Sequence, residues 1–376
     1  MRIILTGGGT AGHVNPAIAI AEILKSNIRN AEILFVGTPN GMERHLIAEV
    51  GYPYYPIESS GFIRKLSIKN LKALWLAFTS PQKAKKLLLE LKPDLVVGTG
   101  GYVSWPILSA AATLGIPTAI HESNAVPGLT VQRLARRVNT VMLNFAEAEQ
   151  ALPGAKRIVR VGNPLRNGFK KENRERARQM LGIPSDAPLV LSFGGSLGAA
   201  AINHAILKLF EQYTLKNETV YHIHGCGKRY FNEFQAAAND KFGTLPTRIQ
   251  CREYLSDMPA LMAAADLVIC RAGAMTVSEL ARSGRTAILI PSPNVANDHQ
   301  TKNALAMQNA GAAVLLKEDA LSRLPTYVEE ILSDKKRRAK MEAASASFHT
   351  NDAERAVYLE LMRLLEAKSA YKKRQD

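Results

Sequence analysis

Two glycine-rich runs in this sequence each follow an apolar run and precede a segment of helical character. They read GGGTAGH at residues 7–13 and FGGSLG at residues 193–198. Glycine allows the backbone to come close to a ligand, and the N–H groups at a helix N-terminus attract negative charge. The sequence therefore predicts an anion-binding loop in each half of the chain.

The first run also matches the dinucleotide pattern G-x-G-x-x-G. A nicotinamide-binding domain needs an acidic residue at the end of the second strand to hold the adenosine ribose. Here the second predicted strand ends in FVGT at residues 35–38, and no Lys-Ser or Lys-Thr pair follows the glycines. The surroundings of the pattern therefore argue against a nicotinamide dinucleotide and against a Walker A site.

A third run with ligand-binding character reads RAGAMTVSE at residues 271–279 and follows a predicted strand that ends at Cys270. We place Glu279 in the first turn of the next helix. An ionised carboxylate at that point can accept hydrogen bonds from both hydroxyls of a ribose. Alternatively, Glu279 only complements the helix dipole.

Short apolar, β-branched runs alternate with helical segments along the whole chain, which predicts parallel sheets covered by helices on both faces. In the first half the predicted strands are residues 2–6, 32–36, 95–98, 118–121, 140–143 and 157–161. The pattern restarts after Pro184, with strands at residues 189–193, 219–224, 248–253, 267–270, 287–291 and 313–316. We therefore expect an α/β protein with two doubly wound domains.

The boundary between the halves falls near Pro164, because a proline holds the residue before it in an extended conformation. We assign residues 1–163 to an N-terminal domain and 164–350 to a C-terminal domain. Residues 351–376 are expected to form a last helix and a basic tail that packs back on the N-terminal domain. No low-complexity linker separates the halves, so we expect the ligand cleft between them.

The charge balance indicates an anionic partner. The chain of 376 residues carries 48 Lys and Arg against 33 Asp and Glu, a formal charge of +15. Nucleic acid, an anionic membrane and a phosphorylated substrate all fit such a charge. Nucleic acid is the weakest of the three, because no aromatic stacking platform is interleaved with the basic residues. The cysteines Cys226, Cys251 and Cys270 lack metal-ligand spacing, and we expect buried, reduced thiols.

One segment of the first half has the composition of a membrane-contacting surface. Apolar and aromatic residues, among them Leu74, Trp75 and Phe78, lie on a predicted helix. Basic residues flank them, namely Arg64, Lys65, Lys69, Lys72, Lys83, Lys85 and Lys86. Such a helix can lie on an anionic bilayer, although packing of the same residues into the core is an alternative. No apolar stretch approaches the roughly 20 residues that span a bilayer.

Taken in order, the motifs resemble those of the MurG family, which transfers N-acetylglucosamine (GlcNAc) from UDP-GlcNAc to lipid I in peptidoglycan synthesis. The motifs are GGGTAGH at 7–13, HESN at 121–124, GNPLR at 162–166, GGS at 194–196, GAMTVSE at 273–279 and DHQ at 298–300. The resemblance implies a GT-B fold, in which two Rossmann-like domains face a cleft. It also implies an acceptor site in the N-terminal domain and a donor site mainly in the C-terminal one.

The resemblance further implies residue roles. The expected donor contacts are Thr10, Ala11, Gly12, Asn124, Arg166, Ser196, Leu255, Ala274, Met275, Thr276, Val277, Ser278, Glu279 and Gln300. Gly101 and Tyr102 are expected to shape the acceptor pocket. No cofactor and no metal are expected, since no Asp-x-Asp motif ends a strand. The expected location is the cytoplasmic face of the cell membrane, where the protein is peripherally bound and can meet other cell-wall synthesis proteins.

An α-linked donor that yields a β-linked product requires inversion, and a base must take the proton of the acceptor hydroxyl. His13 stands at a predicted helix start, where the positive end of the helix dipole keeps the imidazole neutral and basic. Glu122 is the alternative base. A structural His13 that bonds loop carbonyls is a further alternative.

Two other kinds of function compete with this interpretation. One is a different GT-B enzyme, such as a diacylglycerol glycosyltransferase or a UDP-GlcNAc 2-epimerase. The other is a nucleotide-sugar-binding or scaffold subunit without activity. Residues for both a donor and an acceptor occur in this one chain, which an accessory subunit would not need.

Overall fold

A computed structural model describes residues 1–61, 68–165, 169, 173–195, 197–295, 298–348 and 352–372, without the side chains of residues 11, 68–72 and 369–372. The chain divides into two compact units. One comprises Met1–Arg166 together with Thr350–Asp376, and the other comprises Asn167–His349.

The first unit contains a seven-stranded parallel sheet with the strand order β3-β2-β1-β4-β5-β6-β7. Its strands are β1 (Arg2–Thr6), β2 (Glu32–Gly37), β3 (Tyr54–Pro56), β4 (Leu95–Gly98), β5 (Thr118–Glu122), β6 (Thr140–Leu143) and β7 (Ile158–Arg160). Six of these strands are predicted by their apolar runs, and all of these except the edge strand β7 are largely buried on both faces. The edge strand β3 is not predicted, because its three residues are too short for a pattern.

The second unit contains a six-stranded parallel sheet with the order β10-β9-β8-β11-β12-β13. Its strands are β8 (Leu189–Phe193), β9 (Tyr221–Gly225), β10 (Ile249–Arg252), β11 (Leu267–Cys270), β12 (Ala287–Leu289) and β13 (Ala313–Leu315). Each predicted strand of this half is present, with ends that differ by up to two residues. The prediction of two doubly wound α/β folds is confirmed.

Helices cover both faces of each sheet. In the first unit they are α1 (Ala11–Asn27), α2 (Met42–Glu49), α3 (Ile68–Leu91), α4 (Ser104–Thr113) and α5 (Leu129–Leu134). The second unit has α6 (Arg174–Leu181), α7 (Ala200–Leu209), α8 (Phe231–Phe242), α9 (Met258–Ala264), α10 (Ala274–Ser283), α11 (His299–Asn309), α12 (Leu324–Ser333) and α13 (Lys335–Phe348). The first unit also has a 3₁₀ helix, Ala146–Ala151, and the second has a 3₁₀ helix, Glu318–Arg323, and a π-helical turn, Phe210–Thr214. Among the described helices, none has the length and apolar character needed to cross a membrane.

The last helix, α14 (Ala353–Lys372), belongs to the first unit. Its residues Val357, Leu361 and Leu364 are buried in the core that α1 and one face of the sheet form. Glu360, 5% exposed, accepts hydrogen bonds from Thr140 (2.8 Å), Arg157 and Arg363. Burial alone would raise the pKa of Glu360, but these hydrogen bonds outweigh it and hold the pKa below its usual value.

In the second unit, a buried carboxylate joins the starts of two central strands. Asp266, just before β11, accepts a hydrogen bond from the backbone N–H of Leu189 in β8 (2.8 Å). Its charge is paired with Arg174 and with Arg178, which is only 3% exposed. This network fixes the register of β8 and β11, whose opposite ends carry the glycine loops.

The predicted state of the cysteines is confirmed for Cys226 and Cys270, which are buried free thiols. Cys251 is also a free thiol but is only partly buried, because it lies on the edge strand β10.

Candidate active site

The loops that carry the predicted ligand residues lie where each sheet reverses its strand order. In the first sheet β1 and β4 are neighbours, and in the second β8 and β11 are. The connections after these strands leave the sheet on opposite sides and open a crevice at the carboxyl ends, the usual ligand site of such sheets. Both glycine loops and the segment before α10 occupy these positions.

The first glycine loop packs directly against the loop after β4. A Cβ atom on Gly7 would lie 2.0 Å from Thr99 Oγ1, and one on Gly101 would lie 2.1 Å from the Gly8 carbonyl oxygen. Gly101 also has a φ of +76°, a conformation that favours glycine. The glycines therefore allow two loops to touch, which no larger residue would permit.

His13 lies in the first turn of α1, against this pair of loops. Its Nδ1 is 3.0 Å from the carbonyl oxygen of Thr99, whose hydroxyl donates to the carbonyl oxygen of His13 (2.6 Å). A carbonyl only accepts, so we assign the imidazole proton to Nδ1, which makes Nε2 the basic nitrogen. The contact also agrees with a histidine that orders the loop, so it fits both roles predicted for His13.

Gly101 and Tyr102 lie in the same cluster as His13. A Cβ on Gly101 would be 3.2 Å from the His13 ring, and one on Gly9 would be 3.0 Å from the Tyr102 ring. Ser59 donates a hydrogen bond to the Tyr102 carbonyl oxygen (3.1 Å). The structure thus brings the predicted acceptor residues beside the predicted base, next to Thr10 and Gly12 at the start of α1.

A buried carboxylate that the sequence analysis did not single out lies beneath the first glycine loop. Glu43 of α2, 1% exposed, accepts hydrogen bonds from the N–H of Gly9 (3.2 Å) and of Thr38 (3.0 Å) and from the Thr38 hydroxyl. Burial raises its pKa, but these donors outweigh burial, so the pKa lies below its usual value. The N–H of Gly9 is therefore bonded to Glu43, which orders the loop from below.

One feature of the sequence points to Glu43, namely the glycines that surround it in the fold. Cβ atoms on Gly8 and Gly41 would lie 2.6 Å and 2.2 Å from its carboxylate, and one on Gly37 would lie 2.9 Å from its Cγ. Glycines before and after the second strand thus surround one acidic side chain. An acid at the start of a helix, however, usually only complements the dipole.

Glu122, the alternative base, ends β5 and is almost fully buried. One carboxylate oxygen accepts from the backbone and side-chain amides of Asn124 (both 2.9 Å), and the other accepts from the N–H of Gly128 (2.9 Å). These contacts fix the loop and orient Asn124, a predicted donor contact. The neighbouring His121 is buried and donates to the Gly162 carbonyl oxygen, and burial lowers its pKa to about 4.

The second glycine loop follows β8. Gly198 has a φ of +82°, and a Cβ there would lie 2.2 Å from the Cys226 carbonyl oxygen, so this loop rests on the end of β9. Leu255, a predicted donor contact, is buried beside the same strand end, where it faces Gly225. Two predicted donor contacts, Ser196 and Arg166, lie outside the described residues, as does the side chain of Ala11.

Beneath this loop is a buried polar network that the sequence did not indicate. The Ser192 hydroxyl lies 2.8 Å from both His222 Nε2 and His224 Nδ1, and His224 Nε2 is 3.2 Å from Asn203 Oδ1. Asn203 in turn donates to the Cys226 carbonyl oxygen (3.1 Å). Burial lowers the pKa of His224 to about 3, so the network is neutral and serves to hold α7 and the loop in place.

The run at residues 273–279 forms the start of α10. Gly273 is the N-cap and Ala274 is the first helical residue. The N-terminus of α10 therefore lies at the crevice. Ala274, Val277 and Ser278 are buried, whereas Met275, Thr276 and Glu279 are half-buried.

Glu279 is the sixth residue of α10 and therefore lies in its second turn. The prediction of a first-turn position is wrong, because the helix begins directly after Gly273. The second-turn position also argues against the alternative role of Glu279, in which it only complements the helix dipole, because that effect is confined to the first turn. Burial raises the pKa of the Cys270 thiol, and the charge of Glu279 raises it further, which places this carboxylate near the end of β11.

Gln300 lies in the first turn of α11, next to this crevice. Its side-chain oxygen accepts a hydrogen bond from the Ser292 N–H (2.8 Å), so its amide nitrogen is the group able to donate to a sugar. Asn303, one turn later and fully buried, donates to the Ala272 carbonyl oxygen (3.1 Å). The first bond joins α11 to the loop after β12, and the second joins it to the segment before α10. Across the described ranges, no three His, Cys, Asp or Glu side chains cluster as a metal site.

Comparison with known proteins agrees with this geometry. Residues 3–143 match the glycosyltransferase family 28 N-terminal domain, and residues 189–357 match the C-terminal domain of that family. A relative from Alkaliphilus oremlandii is 40% identical over 98% of this chain and 100% of its own length. It is named UDP-N-acetylglucosamine--N-acetylmuramyl-(pentapeptide) pyrophosphoryl-undecaprenol N-acetylglucosamine transferase. The chain belongs to the MurG family.

Two further similarities support membership of the MurG family. A transferase of the same name from Acetivibrio thermocellus is 39% identical over 98% of this chain and 100% of its own. The crystal structure of MurG from Acinetobacter baumannii superimposes with a TM-score of 0.76 at 30% identity, covering 96% of this chain and 99% of that one. The predicted GT-B architecture of two Rossmann-like domains is confirmed.

Proposed function

We propose that this protein transfers GlcNAc from UDP-GlcNAc to the 4-hydroxyl of the N-acetylmuramyl group of undecaprenyl-diphosphate-linked MurNAc-pentapeptide, with inversion. The acceptor is lipid I and the product is lipid II. The observation that carries the proposal is the 40% identity, along nearly the whole chain, to a relative named for this transfer. The presence of a ligand crevice in each of the two units supports it.

The second unit supplies the donor site in this proposal. The N-terminus of α10 presents its N–H groups to the diphosphate, while Glu279 accepts hydrogen bonds from the ribose hydroxyls. The backbone of Leu255 faces the uracil, and Gln300 donates to a sugar hydroxyl. When the bond from C1 of GlcNAc to UDP breaks, the helix N-terminus and Arg166 stabilise the charge that develops on the diphosphate.

The first unit supplies the base and the acceptor contacts. We assign the base to His13, whose Nε2 accepts the proton of the acceptor 4-hydroxyl while that oxygen bonds to C1 of GlcNAc. The Nδ1 contact with Thr99 supports this role, because it sets the tautomer and the ring orientation. Glu122 is assigned to positioning, since three donors from Asn124 and Gly128 already engage its carboxylate.

A product assay tests the proposed function. The purified protein is incubated with UDP-GlcNAc and a short-chain lipid I, with diacylglycerol, or with no acceptor. We expect UDP release and a disaccharide product only with lipid I. Glycosylated diacylglycerol, or conversion of UDP-GlcNAc to its 2-epimer without acceptor, would instead identify one of the rival enzymes.

We also propose that α3 attaches the first unit peripherally to an anionic membrane. Leu74, Trp75 and Phe78 are 47%, 58% and 74% exposed, whereas Ala73 and Leu76 on the same helix are buried. This pattern argues against the alternative in which the aromatic residues pack into the core. Lys83, Lys85 and Lys86 follow on the same helix. Because the lipid tail of the acceptor stays in the bilayer, such a surface would keep the enzyme beside its substrate.

Replacing both Trp75 and Phe78 with serine should reduce binding to anionic vesicles. The basic residues contribute about 1 kcal/mol each near an anionic surface, and salt screens this part. The inserted aromatic side chains add an apolar part that salt does not screen. We therefore expect wild-type binding to weaken but persist at high salt, whereas that of the double variant is lost.

Vesicle co-sedimentation at low and high salt measures this difference. Turnover of a soluble short-chain acceptor is the control for folding and should survive in the double variant. Equal sedimentation of the two proteins at both salt concentrations would contradict the proposed membrane surface.

A further inference from the structure

We propose that the groove between α3 and α4 binds the phosphodiester headgroup of an anionic phospholipid, with Arg137 as its main ligand. The inference rests on the proposed membrane attachment and extends it from a general surface to a defined lipid site. The groove has a volume of about 310 Å³ and lies within the first unit. Phe78 borders it on α3, Trp105 and Thr113 border it on α4, and Arg137 also lines it.

Arg137 is held in a fixed position by neutral acceptors. Its guanidinium donates to the Ser109 hydroxyl (3.1 Å), the Thr113 hydroxyl (3.1 Å) and the Ser109 carbonyl oxygen (3.4 Å). The guanidinium carbon lies 5.9 Å from the centre of the Trp105 ring. Three of its five N–H groups are thus used, and within the described part of the chain no carboxylate pairs with it. A positioned cation with two N–H groups left can bind an anion with little further ordering.

The charge around the groove fits a phosphodiester. Lys85 lines it together with Arg137, and no Asp or Glu is among its lining residues. Lys156 donates to the Arg137 carbonyl oxygen (3.3 Å) and adds a third positive charge nearby. A phosphodiester carries one negative charge on two oxygens, which suits the planar guanidinium better than a point charge.

The rest of the lining favours a lipid over a free phosphate. Ala77, Phe78 and Pro81 make one wall apolar, and the Trp105 indole adds an apolar face because its N–H is already bonded to the Ala77 carbonyl oxygen (3.1 Å). Phe78 also belongs to the exposed surface of α3. A phosphate at Arg137 would therefore have its glycerol and acyl chains beside the residues proposed to enter the bilayer.

Trp105 provides a direct readout, since the chain has only two tryptophans. In a Trp75→Phe background, Trp105 is the sole tryptophan, and its fluorescence can be titrated with dihexanoylphosphatidylglycerol below its micelle concentration. We expect a saturable change. Arg137→Gln in the same background should raise the apparent Kd by about 10- to 100-fold, the effect of losing hydrogen bonds between charged groups.

Arg136→Gln is the matched control. Arg136 adjoins Arg137 and is also exposed, but it donates to the Pro153 carbonyl oxygen, so the variant loses the same charge without altering the groove. Its Kd should stay within about twofold of the parent, as for a screened surface charge. Equal weakening by both variants would overturn the proposal. So would equal affinity for dihexanoylphosphatidylcholine, or saturation of the same signal by inorganic phosphate at matched ionic strength.

The experiments on the headgroup site and on membrane attachment can give independent results. A saturable, Arg137-dependent signal with short-chain lipid, combined with no vesicle binding by the wild type, would support the headgroup site and refute peripheral attachment. Vesicle binding that depends on Trp75 and Phe78, without any lipid-dependent signal from Trp105, would refute only the headgroup site.

Discussion

His13→Ala should lower turnover of UDP-GlcNAc with lipid I by about 10²–10⁴-fold, the usual contribution of a positioned acid–base group. The affinity for UDP-GlcNAc should change little, because the ring is fixed against Thr99 and Gly101 of the first unit. Steady-state kinetics of the variant and calorimetric titration of the donor together measure both effects. A loss of affinity with preserved turnover would mean that His13 only orders the loop.

Glu122→Gln is the informative comparison for His13. The substitution places an amide NH₂ group where the carboxylate accepts from the N–H groups of Asn124 and Gly128. We expect the loop to shift and the KM for UDP-GlcNAc to rise more than kcat falls. If Glu122→Gln instead abolishes kcat while His13→Ala remains active, the base has been assigned to the wrong residue.

Glu279→Ala should weaken binding of UDP-GlcNAc by about 2–3 kcal/mol, since hydrogen bonds to a charged group are lost. The helix N-terminus that we propose binds the diphosphate is unchanged in this variant, so the loss should be confined to the ribose. Calorimetric titration of UDP measures it directly.

A donor analogue makes this test specific to the ribose. A 2′-deoxy nucleotide lacks one of the two hydroxyls that Glu279 is proposed to bind, and it should lose affinity for the wild type. The same analogue and UDP should bind the Glu279→Ala variant almost equally, because the partner is gone. An unchanged difference between the two ligands would place the ribose elsewhere.

Most of the fold follows from patterns in the sequence. Strands such as β1 and β4 are uninterrupted apolar runs, because they are covered on both faces, and the glycine loops mark their carboxyl ends. The three residues of β3 carry no such pattern, since an edge strand is defined by its neighbour β2 rather than by its own composition.

The candidate site is less predictable from the sequence than the fold is, because its residues lie far apart along the chain. His13 and Glu279 lie within recognisable motifs. The helical turn in which Glu279 lies, however, depends on where α10 begins. Glu43 lies in no motif, and its role arises from contacts with Gly9 and Thr38 that only the fold creates. Likewise, nothing in the order of residues reveals that Arg137, in the turn after α5, contacts Ser109 and Thr113 of α4.

The position of α14 has a consequence for synthesis of the protein on the ribosome. The core of the first unit includes Val357 and Leu361, which are translated after the whole of the second unit. Residues 167–349 form a contiguous unit that can fold as soon as it emerges from the exit tunnel. The N-terminal sheet, although made first, completes the core on the α1 side only when the last helix arrives. We therefore expect the second unit to complete its core before the first one does.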